Sequence, residues 1–177
     1  MKNFSKVFIA GTIQGANRNV TMQNQDYREI ITRLVLARYP DAVCFDPSRE
    51  VVSALGDPRV SSLVSAASAQ PVPFILPDTL PPELTRLRDV FARMTQSVED
   101  CDLCIAYLPD HVPSMGTAME MYAAFLSGVP VVAVTDMVDN LAIMSVSSCV
   151  LRDLDSLDAW LTEPKLGAPA LRAATAF

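Results

Sequence analysis

The segment PSMGTAMEMYAAFLSG, residues 113–128, sets a single carboxylate, Glu120, among small and apolar residues. Ser114 is suited to cap a helix start there and Gly128 to end it. Such a helix leaves the amides of Met115, Gly116 and Thr117 free, in a field that favours an anion. The small side chains of Gly116, Thr117 and Ala118 let a ligand come close. Glu120 follows about one and a half turns in. If it faces the strand ends, its carboxylate can attack a sugar carbon, giving a covalent glycosyl intermediate that water or another acceptor resolves. The alternative is a solvated Glu120, with Met119, Tyr122, Ala123 and Leu126 forming the buried stripe. The spacing fits both.

A second loop is suited to the same task. The apolar run KVFIA ends in Gly11, Thr12, Ile13, Gln14 and Gly15. Glycines directly after a strand let backbone amides approach a ligand, often a phosphate. GTIQG is neither the dinucleotide fingerprint nor the P-loop, and a tight turn without a ligand fits it equally.

The elements that must carry these loops follow from periodicity. KVFIA predicts a buried strand, YREIITRLVLARY a helix stopped by Pro40, and AVCFDP a second strand. In the helix, Ile30, Ile31, Leu34, Val35 and Leu36 fall at near-helical spacing. The Ser-, Ala- and Pro-rich residues 48–82 predict an insertion of short helices and loop. ELTRLRDVFARMTQSVED places Leu84, Leu87, Val90, Phe91, Met94 and Val98 on one helical stripe. DLCIAYL and PVVAVT predict strands, NLAIMSV a short helix, CVL a last strand and LDSLDAWL a closing helix. Continuous apolar strands alternating with helices imply a doubly wound α/β domain, a parallel sheet of about five strands covered on both faces. One domain spans 1–163, and 164–177 form a tail. Ligands in such sheets sit at the carboxyl ends of the strands, where both loops fall.

The 177 residues suit one full-sized core. A net charge of −6 with scattered basic residues argues against a nucleic-acid polymer as partner. No stretch approaches the ~20 apolar residues of a membrane span or forms a secretory leader, so the expected location is cytoplasmic. The four cysteines include Cys101 and Cys104 in CDLC. With one His in the chain and a strand beginning there, they predict small buried hydrophobes rather than a zinc or redox pair.

Through KVFIAGTIQG, DYREIITRL, DCDLCIAYLPDHVPSMGTAMEMYAAFLSGVPVVAV and DNLAIMSVSSCVL, the chain resembles the nucleoside 2-deoxyribosyltransferase superfamily. That superfamily includes relatives that hydrolyse the N-glycosidic bond of nucleoside 5′-monophosphates. The block from Asp102 to Val134 is its specific part. The resemblance implies that Glu120 is the nucleophile and that Ser114 matches the hydrolases' serine near the 5′-phosphate. It further implies that the Gly11–Gly15 loop lines the pocket. Asn140 falls where the transferases give an asparagine to a neighbouring subunit, which makes the active unit a homo-oligomer, a dimer or larger. No metal or organic cofactor is implied.

The departures are specific. Met94 stands where the family carries an aspartate that handles the leaving base. Phe8 replaces the tyrosine that orients the glutamate, and Gln14 replaces the hydrolases' loop arginine. Protonating a leaving group typically contributes ~10²–10⁴-fold, so Asp89, Glu99 and His111 are candidates for that role. The expected activity is cleavage or transfer at the N-glycosidic bond of a (deoxy)nucleoside or its 5′-monophosphate. The alternative is a catalytically impaired nucleotide-binding or sensing domain on the same fold. A third reading is a phosphoribohydrolase of the cytokinin-activating kind, which carries PGG before GT where this chain has VPSM.

Overall fold

A computed structural model describes residues 3–15, 17, 21–69 and 76–167. Most of the expected tail, 168–177, and residues 16 and 18–20 beyond the first loop lie outside them. Five strands form the sheet: β1 (Lys6–Gly11), β2 (Val43–Phe45), β3 (Leu103–Leu108), β4 (Val131–Thr135) and β5 (Cys149–Leu151). Their order is β2-β1-β3-β4-β5, and every pairing is parallel. Among the described residues seven α-helices accompany them: α1 (Asp26–Arg38), α2 (Ser48–Leu55), α3 (Pro58–Ala69), α4 (Pro82–Gln96), α5 (Met115–Leu126), α6 (Leu141–Val146) and α7 (Leu154–Thr162). The expected α/β class holds. The residues marked as an insertion carry α2, α3 and a 3₁₀ turn at Pro77–Thr79.

The sheet is buried on both faces because its strands alternate between two apolar sets. Val7, Ile9, Leu103, Ile105, Val132 and Val134 pack with Ile31 and Val35 of α1 and Leu157, Trp160 and Leu161 of α7. Phe8, Ala10, Cys104, Ala106, Leu108, Val131 and Ala133 pack with Met121 and Ala124 of α5 and Ile143 of α6. This is the period-two pattern of a strand with no solvent face. Chain direction reverses between β1, which leads through α1 to β2, and β3, which leads through α5 to β4. The crevice at that reversal is where the two suspect loops meet.

Two details differ from the helical periodicity. In α1 the buried residues are Tyr27, Arg28, Ile31 and Val35, while Leu36 is exposed. A tyrosine and an arginine therefore occupy the inner face near the strand ends. Cys101 precedes β3 and shares one core with Cys104. Both thiols are free and buried. Burial pushes Cys101 up to about 11 and Cys104 well above the usual thiol range. These are packing residues.

Candidate active site

The α5 helix opens as its sequence requires. Ser114 Oγ accepts from the Thr117 amide at 3.4 Å and from Thr117 Oγ1 at 3.0 Å. At the other end Gly128 takes φ 76°, the left-handed geometry that lets the chain leave the helix. The face between these ends settles the Glu120 alternatives. Thr117, Glu120, Met121 and Ala124 are buried, whereas Met119, Tyr122 and Leu126 are each at least half exposed. Glu120 points inward at 6% exposure.

It lies on a cleft of about 500 Å³. The cleft's polar wall is Gly11, Ile13, Gln14 and Gly15 together with Ser114, Gly116 and Thr117. Its apolar wall comes from Val51 and Leu55 of α2 and Leu84, Leu87 and Phe91 of α4. That explains why the α4 stripe is only partly buried: part of it faces the cleft. Gly116 has a packing reason to be glycine, since a Cβ there would come within 3.3 Å of Phe91 Cζ. Gly15 has a conformational one, at φ 60°. Arg88, one turn before Phe91, also lines the cleft and donates to the Pro77 carbonyl at 2.7 Å.

The Glu120 carboxylate accepts no hydrogen bond from any described residue. Burial pushes its pKa up to about 8, Arg28 opposes that rise and Asp46 adds to it. At neutral pH the carboxyl is therefore mostly protonated. It ionises as pH passes about 8.

Arg28, which is buried, and Asp46, which is partly buried, form an ion pair here. Arg28 Nη1 donates to the Ile9 carbonyl at 2.8 Å and to Asp46 Oδ1 at 2.9 Å. Nη2 donates to the Gly11 carbonyl at 2.9 Å, and Nε to Gln25 Oε1 at 2.8 Å. Asp46 Oδ1 also accepts from the Ser48 amide at 2.9 Å, fixing the start of α2. Tyr27 stacks near Tyr107 with ring centroids 4.7 Å apart, and burial raises its phenol well above the ordinary range. Sequence periodicity passed over Arg28 because it falls on an apolar face. Asp46, directly after β2, was visible as a polar residue at a strand's carboxyl end.

Three of the proposed ligand residues stand apart from the cleft. Phe8 is sealed in the core against Phe45, with ring centroids 5.6 Å apart. Thr12 is turned towards α1, its carbonyl accepting from Gln25 Nε2 at 3.0 Å, and it lines a separate groove with Tyr27 and Tyr107. Asn140 caps α6, its Oδ1 accepting from Ala142 and Ile143 amides at 3.1 and 3.2 Å. It borders a different, apolar groove between α5 and α6. None of the candidate acids lines the cleft. Asp89 and Glu99 are exposed, and His111 pairs with Asp136 at 3.1 Å in the loop after β3.

No family model matches the chain, and no curated protein matches it in sequence. Solved structures do. A 2-deoxyribosyltransferase from Bacillus psychrosaccharolyticus superposes with a TM-score of 0.56 at 15% identity, over 92% of this chain and 98% of that one. The chain shares its fold with a 2-deoxyribosyltransferase. A conserved protein from Enterococcus faecalis V583 has the same outline, with a TM-score of 0.50 at 15% identity over 89% and 97% of the two chains. At this identity the likeness is one of fold, extending over nearly the whole domain. Among the described residues, no helix is long and apolar enough to cross a membrane.

Proposed function

We propose that the protein cleaves or transfers at the N-glycosidic bond of a (deoxy)nucleoside or nucleoside 5′-monophosphate, with Glu120 as nucleophile. The observation that carries this reading is a buried carboxylate that accepts no hydrogen bond from the described residues, on the wall of a cleft at the strand ends. A structural carboxylate at that depth would be paired. The 2-deoxyribosyltransferase sharing the fold was characterised as a biocatalyst for nucleoside synthesis, which agrees with the reaction class.

In this reading the carboxylate attacks C1′ as the bond to the base breaks, and the base leaves with the electron pair and takes a proton. Water or a second base then displaces Glu120 from the sugar. The Thr117 amide is taken by Ser114 Oγ rather than left for a ligand, so the Met115 and Gly116 amides at the start of α5, with Arg88, suit an anionic 5′ end. The apolar wall of α2 and α4 suits a base. With no second acid lining the cleft among the described residues, the proton for the base comes from solvent.

A homo-oligomer belongs to the same proposal. Met115, Met119, Tyr122 and Leu126 form an exposed stripe along α5, continued by Leu141 and Met144 of α6. A contiguous apolar face of this kind favours burial against another surface. Met119→Asp with Leu126→Asp is expected to yield a smaller species by sedimentation if a second copy covers it.

The deciding experiment incubates the protein with ribo- and deoxyribonucleosides and their 5′-monophosphates, with and without a second base as acceptor, beside Glu120→Ala. Base release lost in the variant supports the proposal, and acceptor dependence separates transfer from hydrolysis. Binding without turnover would instead favour a sensing domain, a reading consistent with Phe8 and Met94 at the family's polar positions.

A further inference from the structure

We propose that Arg28 and Asp46 are a positioning pair for Glu120, anchoring two walls of its cleft and setting a buried and a partly buried charge of opposite sign behind them. This rests on the glycosidic reading above.

The geometry is that of a keystone. The Arg28 guanidinium gathers the carbonyls of Ile9 and Gly11 at the end of β1, and Gly11 itself lines the cleft. Its partner Asp46 receives the first amide of α2, the helix whose Val51 and Leu55 form the facing wall. The pair is 4% and 18% exposed at its side chains. Low dielectric lets both charges act on a neighbouring carboxyl. They act in opposite senses: Arg28 favours the Glu120 carboxylate, and Asp46 disfavours it.

Few other groups compete. From α1 the Tyr27 phenol faces this region and is held neutral, and from β3 so is the Cys104 thiol. From α4 Arg88 reaches the cleft. Neither β4 nor α6 contains an ionisable residue. Glu99 and Asp100 of the turn before β3 face solvent.

The test follows the titration of Glu120 in the full chain without substrate, by the infrared band of its protonated carboxyl, subtracting Glu120→Gln. The pH profile of base release is measured in parallel. Asp46→Asn is expected to move the midpoint down by about one pH unit, and Arg28→Met to move it up by a similar amount, with Arg28→Lys restoring most of the shift. A merely structural role would move both variants the same way or neither, and either result overturns the proposal. Should Arg28→Met fail to fold, the near-isosteric Asp46→Asn still gives a signed answer. If the midpoints move as expected yet no nucleoside or nucleotide is cleaved, the positioning pair stands and the glycosidic reading falls.

Discussion

Two ionisable side chains leave water at the carboxyl ends of the central strands, and the protein treats them oppositely. Arg28 has an acceptor for every guanidinium nitrogen: two strand carbonyls, a carboxylate and an amide oxygen. Glu120, equally buried, accepts no hydrogen bond from the described residues. Burying a charge is costly unless it is paired and bonded. The first arrangement meets that condition. The second leaves the cost in place, visible as a pKa pushed up to about 8. Perturbed groups in a cleft of this kind are candidates for chemistry.

The sharpest way to break the comparison is Glu120→Gln. Base release is expected to fall by roughly 10⁴-fold, the scale for losing a nucleophile. The same variant tests the stability side. A carboxyl whose folded pKa lies above its unfolded value holds extra protons in the folded state. Its contribution to stability is full below the unfolded value, 4.5, and is lost as pH rises towards about 8. Glu120→Gln removes that loss. Relative to the native protein it should therefore gain on the order of 3 kcal/mol between pH 5 and pH 8. Denaturant melts at the two pH values measure it, and an unchanged difference would mean that Glu120 is ionised in the folded protein at low pH.

Arg28→Met should act in the other direction, costing about 3–5 kcal/mol by stranding Asp46 and freeing the two β1 carbonyls. A loss below about 1 kcal/mol would mean that water reaches the pair and that it is not a buried keystone. A smaller effect is expected at Gly11, where an added Cβ would lie 2.7 Å from the Tyr27 ring. Gly11→Ala should cost about 1–3 kcal/mol through overpacking, and should lower activity because Gly11 borders the cleft.

This contrast also explains what the sequence disclosed. The sheet was legible because KVFIA, LCIAYL and VVAVT are continuous apolar runs, a pattern that only a doubly covered strand sustains. The α5 start was legible because Ser114, Gly116 and Gly128 each have a local conformational reason. Glu120's direction was not, since Met119, Tyr122 and Leu126 offered an equally good apolar stripe. Those residues are instead exposed, and solvent exposure of an apolar face cannot be distinguished from burial by hydropathy alone. Arg28 was hidden for the converse reason. Its partners are backbone carbonyls of β1 and a carboxylate 18 positions away, contacts that helical spacing does not encode. Thr12 was placed by its loop, but it lines the groove beside Tyr27 rather than the cleft.

The smallest expected effect calibrates the others. Arg38 and Asp158 also pair across elements, joining α1 to α7 at 3.1 Å, but with side chains 38% and 44% exposed. Formally this is the same interaction as Arg28–Asp46, a guanidinium on a carboxylate at hydrogen-bond distance. Water screens it, and two flexible side chains are held in one geometry to make it. Asp158→Asn should therefore cost no more than about 1 kcal/mol and should fade in high salt. It should leave both base release and the Glu120 titration unchanged, since its surroundings share no residue with the cleft. If its loss matched that of Arg28→Met, pairing alone would account for the stability of both sites. Burial would then no longer distinguish the bonded arginine from the unbonded glutamate.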